Sequence, residues 1–231
     1  MSTASKLVIV GDGEFARIAH EYFTHDSPHE VVGFAVERAF LKNSEYLGLP
    51  VVAFEEIERH FDPAGHKAFV AITYTQLNRV RARLYTAARR KGYAMASYVS
   101  SRAFVWRNVT IGDNVFVFEN NVVQHFAEIG NNVVLWSGNH VGHRSVIEDH
   151  CYLTSHVVVS GLCRIQRFSF VGVNSTIADR VTIARDCFIG AGCVIARDTE
   201  PGKIYQAAPA QAAKVGSLRF MKVKDDDDYL T

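Results

Sequence analysis

The chain has 231 residues, with 25 Lys and Arg against 24 Asp and Glu for a formal net charge of +1, and 48% of its residues are hydrophobic. This balance offers no charge field to recruit nucleic acid or an anionic membrane, and the length suits two small domains. No apolar run approaches the roughly 20 residues of a membrane span and no secretory signal precedes the first apolar strand, so a cytoplasmic location is expected.

The first predicted strand is Lys6–Val10 (KLVIV), followed by the turn Gly11-Asp12-Gly13-Glu14 and a helix-like segment through Tyr22. A strand, a glycine turn and a helix start bring backbone N–H groups and the positive end of a helix dipole toward a phosphate. A second strand at Glu30–Val36 precedes the apolar stretch Leu49–Val52, a helix near Phe54–His60, a strand at Ala68–Thr73 and a helix from about Asn78 to Lys91. The alternation predicts a small Rossmann-like parallel α/β domain over residues 1–94.

From Val99 the grammar changes. Seventeen aliphatic residues recur at every sixth position, from Val99, Val105 and Ile111 through to Ile183, Ile189 and Ile195. A period of six fits neither the 3.6 of a helix nor simple strand alternation, so each hexad is expected to be one short strand and turn with one aliphatic side chain inward. The chain winds as a solenoid. Gly112, Gly130, Gly142, Gly172 and Gly190 directly follow an aliphatic residue and are expected at corners. Cys151, Cys163, Cys187 and Cys193 share one slot of the hexad, four residues after the aliphatic, which assigns them to the core rather than to a disulfide framework or a zinc site. Phe104, Trp106, Phe116, Phe118, Phe126, Trp136, Phe168, Phe170 and Phe188 fall outside the ladder and need cover, which suggests packing between subunits. The solenoid domain is placed at 95–216 and an acidic tail, with the KDDDD run at 224–228, at 217–231.

An α/β domain joined to tandem hexads resembles the hexapeptide-repeat acyltransferases of the sialic acid O-acetyltransferase and bacillosamine-type nucleotide-sugar N-acetyltransferase family, over residues about 6–214. The resemblance implies a left-handed parallel β-helix of three hexads per coil, acetyl-CoA as co-substrate lying along the solenoid between subunits of a homotrimer, a nucleotide-linked sugar as the other substrate, and no metal. Gly11 and Gly13 would face the diphosphate. Where family members often read Gly-Phe-Ile-Asp-Asp, this chain reads Gly33-Phe34-Ala35-Val36-Glu37, leaving Glu37 to approach the base or ribose.

By the same resemblance the chemistry lies in Trp136–Ser145, and His143 aligns with the catalytic histidine. An imidazole suits the role because acyl transfer to an amine or hydroxyl needs an acceptor for the nucleophile's proton near neutral pH. His125 stands eighteen residues earlier, one coil away, and is a candidate for substrate contact or for orienting the base, or simply one half of an imidazole stack. Arg144 takes the place where the family commonly has an acid; an arginine cannot accept the hydrogen bond that would orient the base. Either Glu119, Glu128 or Asp149 orients His143, or Arg144 meets a phosphate or carboxylate of the substrate. Gly161 and Tyr152 align with cofactor-contacting positions, although Gly161 equally suits a corner. Ala207–Gln211 resembles the segment that closes these solenoids, with Lys214 a nearby cation for CoA phosphates. Trp136 lines the substrate pocket or an interface. The expected activity is acetyl-CoA-dependent N-acetylation of a nucleotide-linked amino sugar for a bacterial surface glycan, with O-acetylation of a sugar such as sialic acid and a non-catalytic scaffold as alternatives.

Overall fold

The computed structural model describes residues 5–223. The KDDDD run lies outside the described residues; before it, Ser217–Phe220 forms one exposed helical turn.

The N-terminal sheet is built around β1 (Ser5–Val10). It pairs in parallel with β2 (His29–Val36) on one side and β5 (His66–Val70) on the other, and the sheet extends to β4 (Leu49–Ala53) beyond β2 and to β6 (Ala94–Met95) beyond β5. One strand breaks the expected parallel order. Between β2 and β4, β3 (Glu45–Tyr46) pairs antiparallel with β4 through a turn whose two residues, Leu47 and Gly48, both have positive φ, 52° and 75°. A two-residue hairpin selects that backbone because its twist matches the strands.

Helix α1 (Glu14–His25) turns Phe15, Ala16, Ala19 and Phe23 to one side, and α3 (Arg79–Arg90) buries Ala82, Leu84, Tyr85 and Ala88 on the opposite face of the sheet; the short α2 (Ile57–His60) joins α3 there. Because the chain leaves β1 toward β2 and later returns to β5 on its other side, the strand order reverses between β1 and β5. That reversal opens a crevice at the carboxyl ends of the strands, beside Gly11.

The hexads form a triangular coil of two-residue strands that pair in parallel with a shift of eighteen residues, in sheets of seven, six and five strands. This is the left-handed parallel β-helix with three hexads per coil. The ladder residues from Val117 to Ile195 are buried, whereas Val99 is exposed at the open first coil. All four cysteines are free and buried beside the ladder.

The corners differ from the glycine expectation. Left-handed backbone occurs three residues after each aliphatic from Ile111 to Ile189, at Asn114, Asn120, Phe126, Asn132, Arg144, His150 and onward to Asp186, with glycine there only at Gly138 and Gly192. The glycines that directly follow an aliphatic answer to another constraint: a Cβ on Gly142 would lie 2.6 Å from Gly161 N on the next coil, and Gly130 and Gly172 meet their neighbours in the same way. Close stacking of coils, not the turn, requires them.

Each face of the triangle has its own exterior. The first carries Tyr98, Phe116, Val134, Tyr152, Phe170 and Phe188; the second carries Phe104, Val122, His140, Val158, Thr176 and Val194; the third carries Thr110, Glu128, Val146, Arg164 and Thr182. The aromatic first face packs under the α/β domain. Phe15 meets Phe69, Phe116, Phe118 and Trp136, and one apolar core runs from Leu7 and Ile9 through α1 into Phe116, Tyr152 and Phe170. The cover that Phe116, Phe118 and Phe170 need thus comes from the chain's own first domain rather than from a second subunit. Phe104, Trp106 and Phe126 remain exposed.

Candidate active site

His143 stands on the corner between the second and third faces, after the strand His140–Val141 and before Val146–Ile147. That corner is fixed from both neighbouring coils. His143 N–H donates to Gln124 Oε1 (3.0 Å), Arg144 N–H to His125 O (3.1 Å), and Leu162 N–H to His143 O (2.9 Å). Ser145 Oγ donates to Ser160 O (2.8 Å) and accepts from Cys163 N–H (3.1 Å).

The imidazole has little freedom on this support. It stacks on His125 from the coil before, with ring centroids 5.6 Å apart and planes 18° from parallel. On the coil after, Gly161 gives it room: a Cβ there would sit 2.8 Å from His143 Nδ1. The glycine that the resemblance linked to the cofactor is therefore the surface against which the imidazole lies. The residue is half-buried.

None of the carboxylates considered for orienting His143 bonds to its ring among the described residues. Glu119 accepts from Ser137 Oγ (2.6 Å) and Tyr22 O–H (2.8 Å), Asp149 from Asn131 N–H (2.6 Å), and Glu128 is exposed on the third face. Arg144, in left-handed backbone with φ of 54°, holds its guanidinium over the Phe126 ring, 5.5 Å from the centroid. Phe126 meets the edge of His125 at 5.5 Å, so His143, His125, Phe126 and Arg144 form one cluster across two coils.

Two residues aligned with the site lie elsewhere. Tyr152 is buried beneath the α/β domain, accepts a hydrogen bond from Trp136 Nε1, and is flanked by Tyr74 and Phe170; burial pushes its phenol up to about 12. Trp136 stacks on Phe118 at 4.4 Å and belongs to the same interdomain layer. Tyr152 is buried in this layer, whereas Trp136 is only partly covered by it. Lys214 is exposed in an irregular segment beyond the last coil.

In the α/β domain the glycine turn joins the end of β1 to the start of α1. Gly11 has φ of 124° and donates its N–H to Ala35 O (2.8 Å), and a Cβ would lie 2.9 Å from Ala71 O, so no other residue fits without a shift. Gly13 caps α1 without a side-chain hydrogen bond and has open space around its α-carbon. The first amides of α1 therefore face outward. Glu37 follows β2 at the same edge, but both its oxygens accept from Arg83 (2.8 and 2.9 Å), and that ion pair holds its carboxyl below the usual range. A ribose there would compete with Arg83.

A polar lock between the domains is absent from the expectations drawn above. Val70 N–H, at the end of β5, donates to Asn114 Oδ1 (2.7 Å); Asn114 Nδ2 donates to Asn132 Oδ1 (2.8 Å), and Asn132 Nδ2 to His150 Nδ1 (2.9 Å). Arg81 on α3 is fully buried and donates to Asn78 Oδ1 (3.2 Å) and Cys151 O (3.1 Å). These bonds fix the crevice relative to the coil, and only the eighteen-residue spacing of Asn114, Asn132 and His150 was there to signal them.

The family model described as bacterial transferase hexapeptide (six repeats) matches residues 108–143, 126–161 and 162–197. No curated protein sequence matches. Among solved structures, a histidine-to-asparagine variant of perosamine N-acetyltransferase from Caulobacter crescentus, in complex with CoA and GDP-perosamine, is 25% identical over 86% of this chain and 92% of its own, with a TM-score of 0.74. The acetyltransferase domain of PglB from Neisseria gonorrhoeae is similar in fold at 23% identity, covering 87% and 95% of the two chains with a TM-score of 0.78. WeeI from Acinetobacter baumannii shares the fold at 19% identity, covering 86% and 94% with a TM-score of 0.71.

Proposed function

Because the chain belongs to the bacterial hexapeptide-repeat acyltransferases, we propose that it transfers an acetyl group from acetyl-CoA to the amine of a nucleotide-linked amino sugar, of the kind built into bacterial surface glycans, with His143 as general base. The observation that carries this is the half-buried His143 imidazole, held between His125 and Gly161 on an outer corner. The Caulobacter relative was crystallised with CoA and GDP-perosamine, in unsubstituted form and as variants of one histidine, which supports both the ligand pair and a histidine at the chemistry.

In this mechanism the sugar amine attacks the thioester carbonyl, a C–N bond forms and the carbonyl electrons move to oxygen. His143 takes the proton that the nitrogen must shed. Collapse of the tetrahedral intermediate breaks the C–S bond, and the imidazolium returns the proton to the departing CoA thiolate. The rigid corner fixes the imidazole in advance, so reaction needs no reorganisation of the base. The diphosphate of the acceptor sits at Gly11–Gly13 on the helix N-terminus, where outward amides and the dipole favour an anion.

The active assembly in this proposal is a homotrimer. The apolar second face, with Phe104 at 53% and Val194 at 74% exposure, supports subunit contact beside the corner that carries His143. The test is release of free CoA from acetyl-CoA against nucleotide-linked 3-amino and 4-amino sugars, run beside sialic acid. Turnover of the amino sugars is expected; turnover of sialic acid alone would replace N-acetylation with O-acetylation.

A further inference from the structure

The cluster at the His143 corner is cationic, and it contains a group that proton transfer does not use. Arg144 stands one residue from the base on the same corner, bonded to no carboxylate among the described residues, and its guanidinium is held over Phe126 while the His143 ring is held over His125. Two adjacent side chains resting on two adjacent rings project from one edge of the solenoid. A ligand that brings its nitrogen to His143 therefore brings the neighbouring ring substituents to Arg144.

An arginine in this position recognises a planar oxyanion with parallel N–H donors. The proposed substrates offer three sources of anionic oxygen: the diphosphate, the CoA phosphates and a carboxylate on the sugar. The diphosphate is assigned to the Gly11–Gly13 turn on the other domain, and the CoA phosphates are separated from the thioester by the whole pantetheine arm. Only a carboxylate on the sugar ring lies within a few bonds of the reacting amine. Such a group also offsets positive charge at a corner where the base acquires a proton during the reaction.

We propose that Arg144 receives a ring carboxylate of the acceptor, so that the preferred acceptor is a nucleotide-linked aminouronic acid rather than its neutral deoxy counterpart. This rests on the assignment of His143 as the base. Phe126 serves as a positioning residue, since its ring holds the guanidinium beside the imidazole.

The experiment compares UDP- and GDP-linked amino sugars that differ only in carrying a carboxylate or a methyl group at C6. Binding to the free enzyme and steady-state kinetics are measured for the wild type, Arg144→Gln, Arg144→Lys and Phe126→Leu. Charge-assisted pairing predicts that Arg144→Gln raises KM and Kd for the carboxylated acceptor roughly tenfold or more. The methyl analogue should lose far less than the carboxylated acceptor, and Arg144→Lys should recover part of the selective loss. Phe126→Leu should weaken the same acceptor selectively. An equal loss on both acceptors would overturn the proposal in favour of a diphosphate contact, and a rise in KM for acetyl-CoA but not for acetyl-3′-dephospho-CoA would reassign Arg144 to the CoA phosphate. If the wild type acetylates neither sugar, the reaction proposed above fails, and the binding preference between the two acceptors still decides the role of Arg144.

Discussion

At the scale of single residues, Gly161 and His143 depend on each other. The glycine is one coil away and makes no hydrogen bond through a side chain, yet an added methyl group would occupy the space in which the imidazole lies. Gly161→Ala is therefore predicted to turn or displace the base while leaving the solenoid wound. A misplacement of about 1 Å at a catalytic group costs on the order of 10²-fold in rate. The check is kcat beside thermal unfolding: a loss of about tenfold or more in kcat with a melting temperature near that of the wild type is expected, and unchanged kcat would mean that the ring does not act from this position. The family resemblance marked Gly161 in the sequence, but the reason for it was not visible there. A glycine reads alike whether it serves a cofactor, a corner or a neighbouring ring, and only the position of His143 separates the three.

At the scale of elements, the ladder from β5 into the coil has a fixed direction. Val70 N–H can only donate, so Asn114 turns its oxygen to Val70 and its nitrogen to Asn132; Asn132 in turn presents its nitrogen to His150 Nδ1. His150 must accept at Nδ1 and is therefore neutral. Burial agrees, pushing its pKa from 6.5 down to about 4, and burial also lowers His20 and His29. A histidine depressed in this way stabilises the fold fully above the unfolded value of about 6.5 and loses that contribution as pH falls toward 4, because the unfolded chain binds the proton first. Stability is thus predicted to drop between pH 7 and pH 4.5, and His150→Phe should flatten part of the slope. Denaturant titrations across that range would refute the ladder if the slope were absent or unchanged in the variant. The strands themselves were readable because one aliphatic residue recurs in every hexad. The cover of each face was not, since Tyr152 and Phe104 occupy equivalent outward slots and differ only in whether the α/β domain docks on them.

At the scale of the whole molecule, the three faces account for the division of labour. The aromatic face joins the two domains, the third face is rich in charged and polar residues including the Arg164–Glu148 pair (2.7 Å), and the second exposes Phe104, Val158 and Val194. An apolar surface of that kind, beside the His143 corner, is predicted to be the contact between subunits. Val158→Asp places an unpaired charge in it and should release monomers, with activity falling in parallel. Light scattering after size exclusion measures this directly; a wild-type monomer with full activity would refute it.

The central claim is that His143 takes the proton from the acceptor amine. Its most direct test is a single-turnover comparison of wild type and His143→Ala with acetyl-CoA and a nucleotide-linked amino sugar, together with equilibrium binding of both substrates. The account predicts that the transfer rate falls by roughly 10²- to 10⁴-fold while both affinities stay close to those of the wild type. A variant that transfers acetyl at the wild-type rate would contradict it.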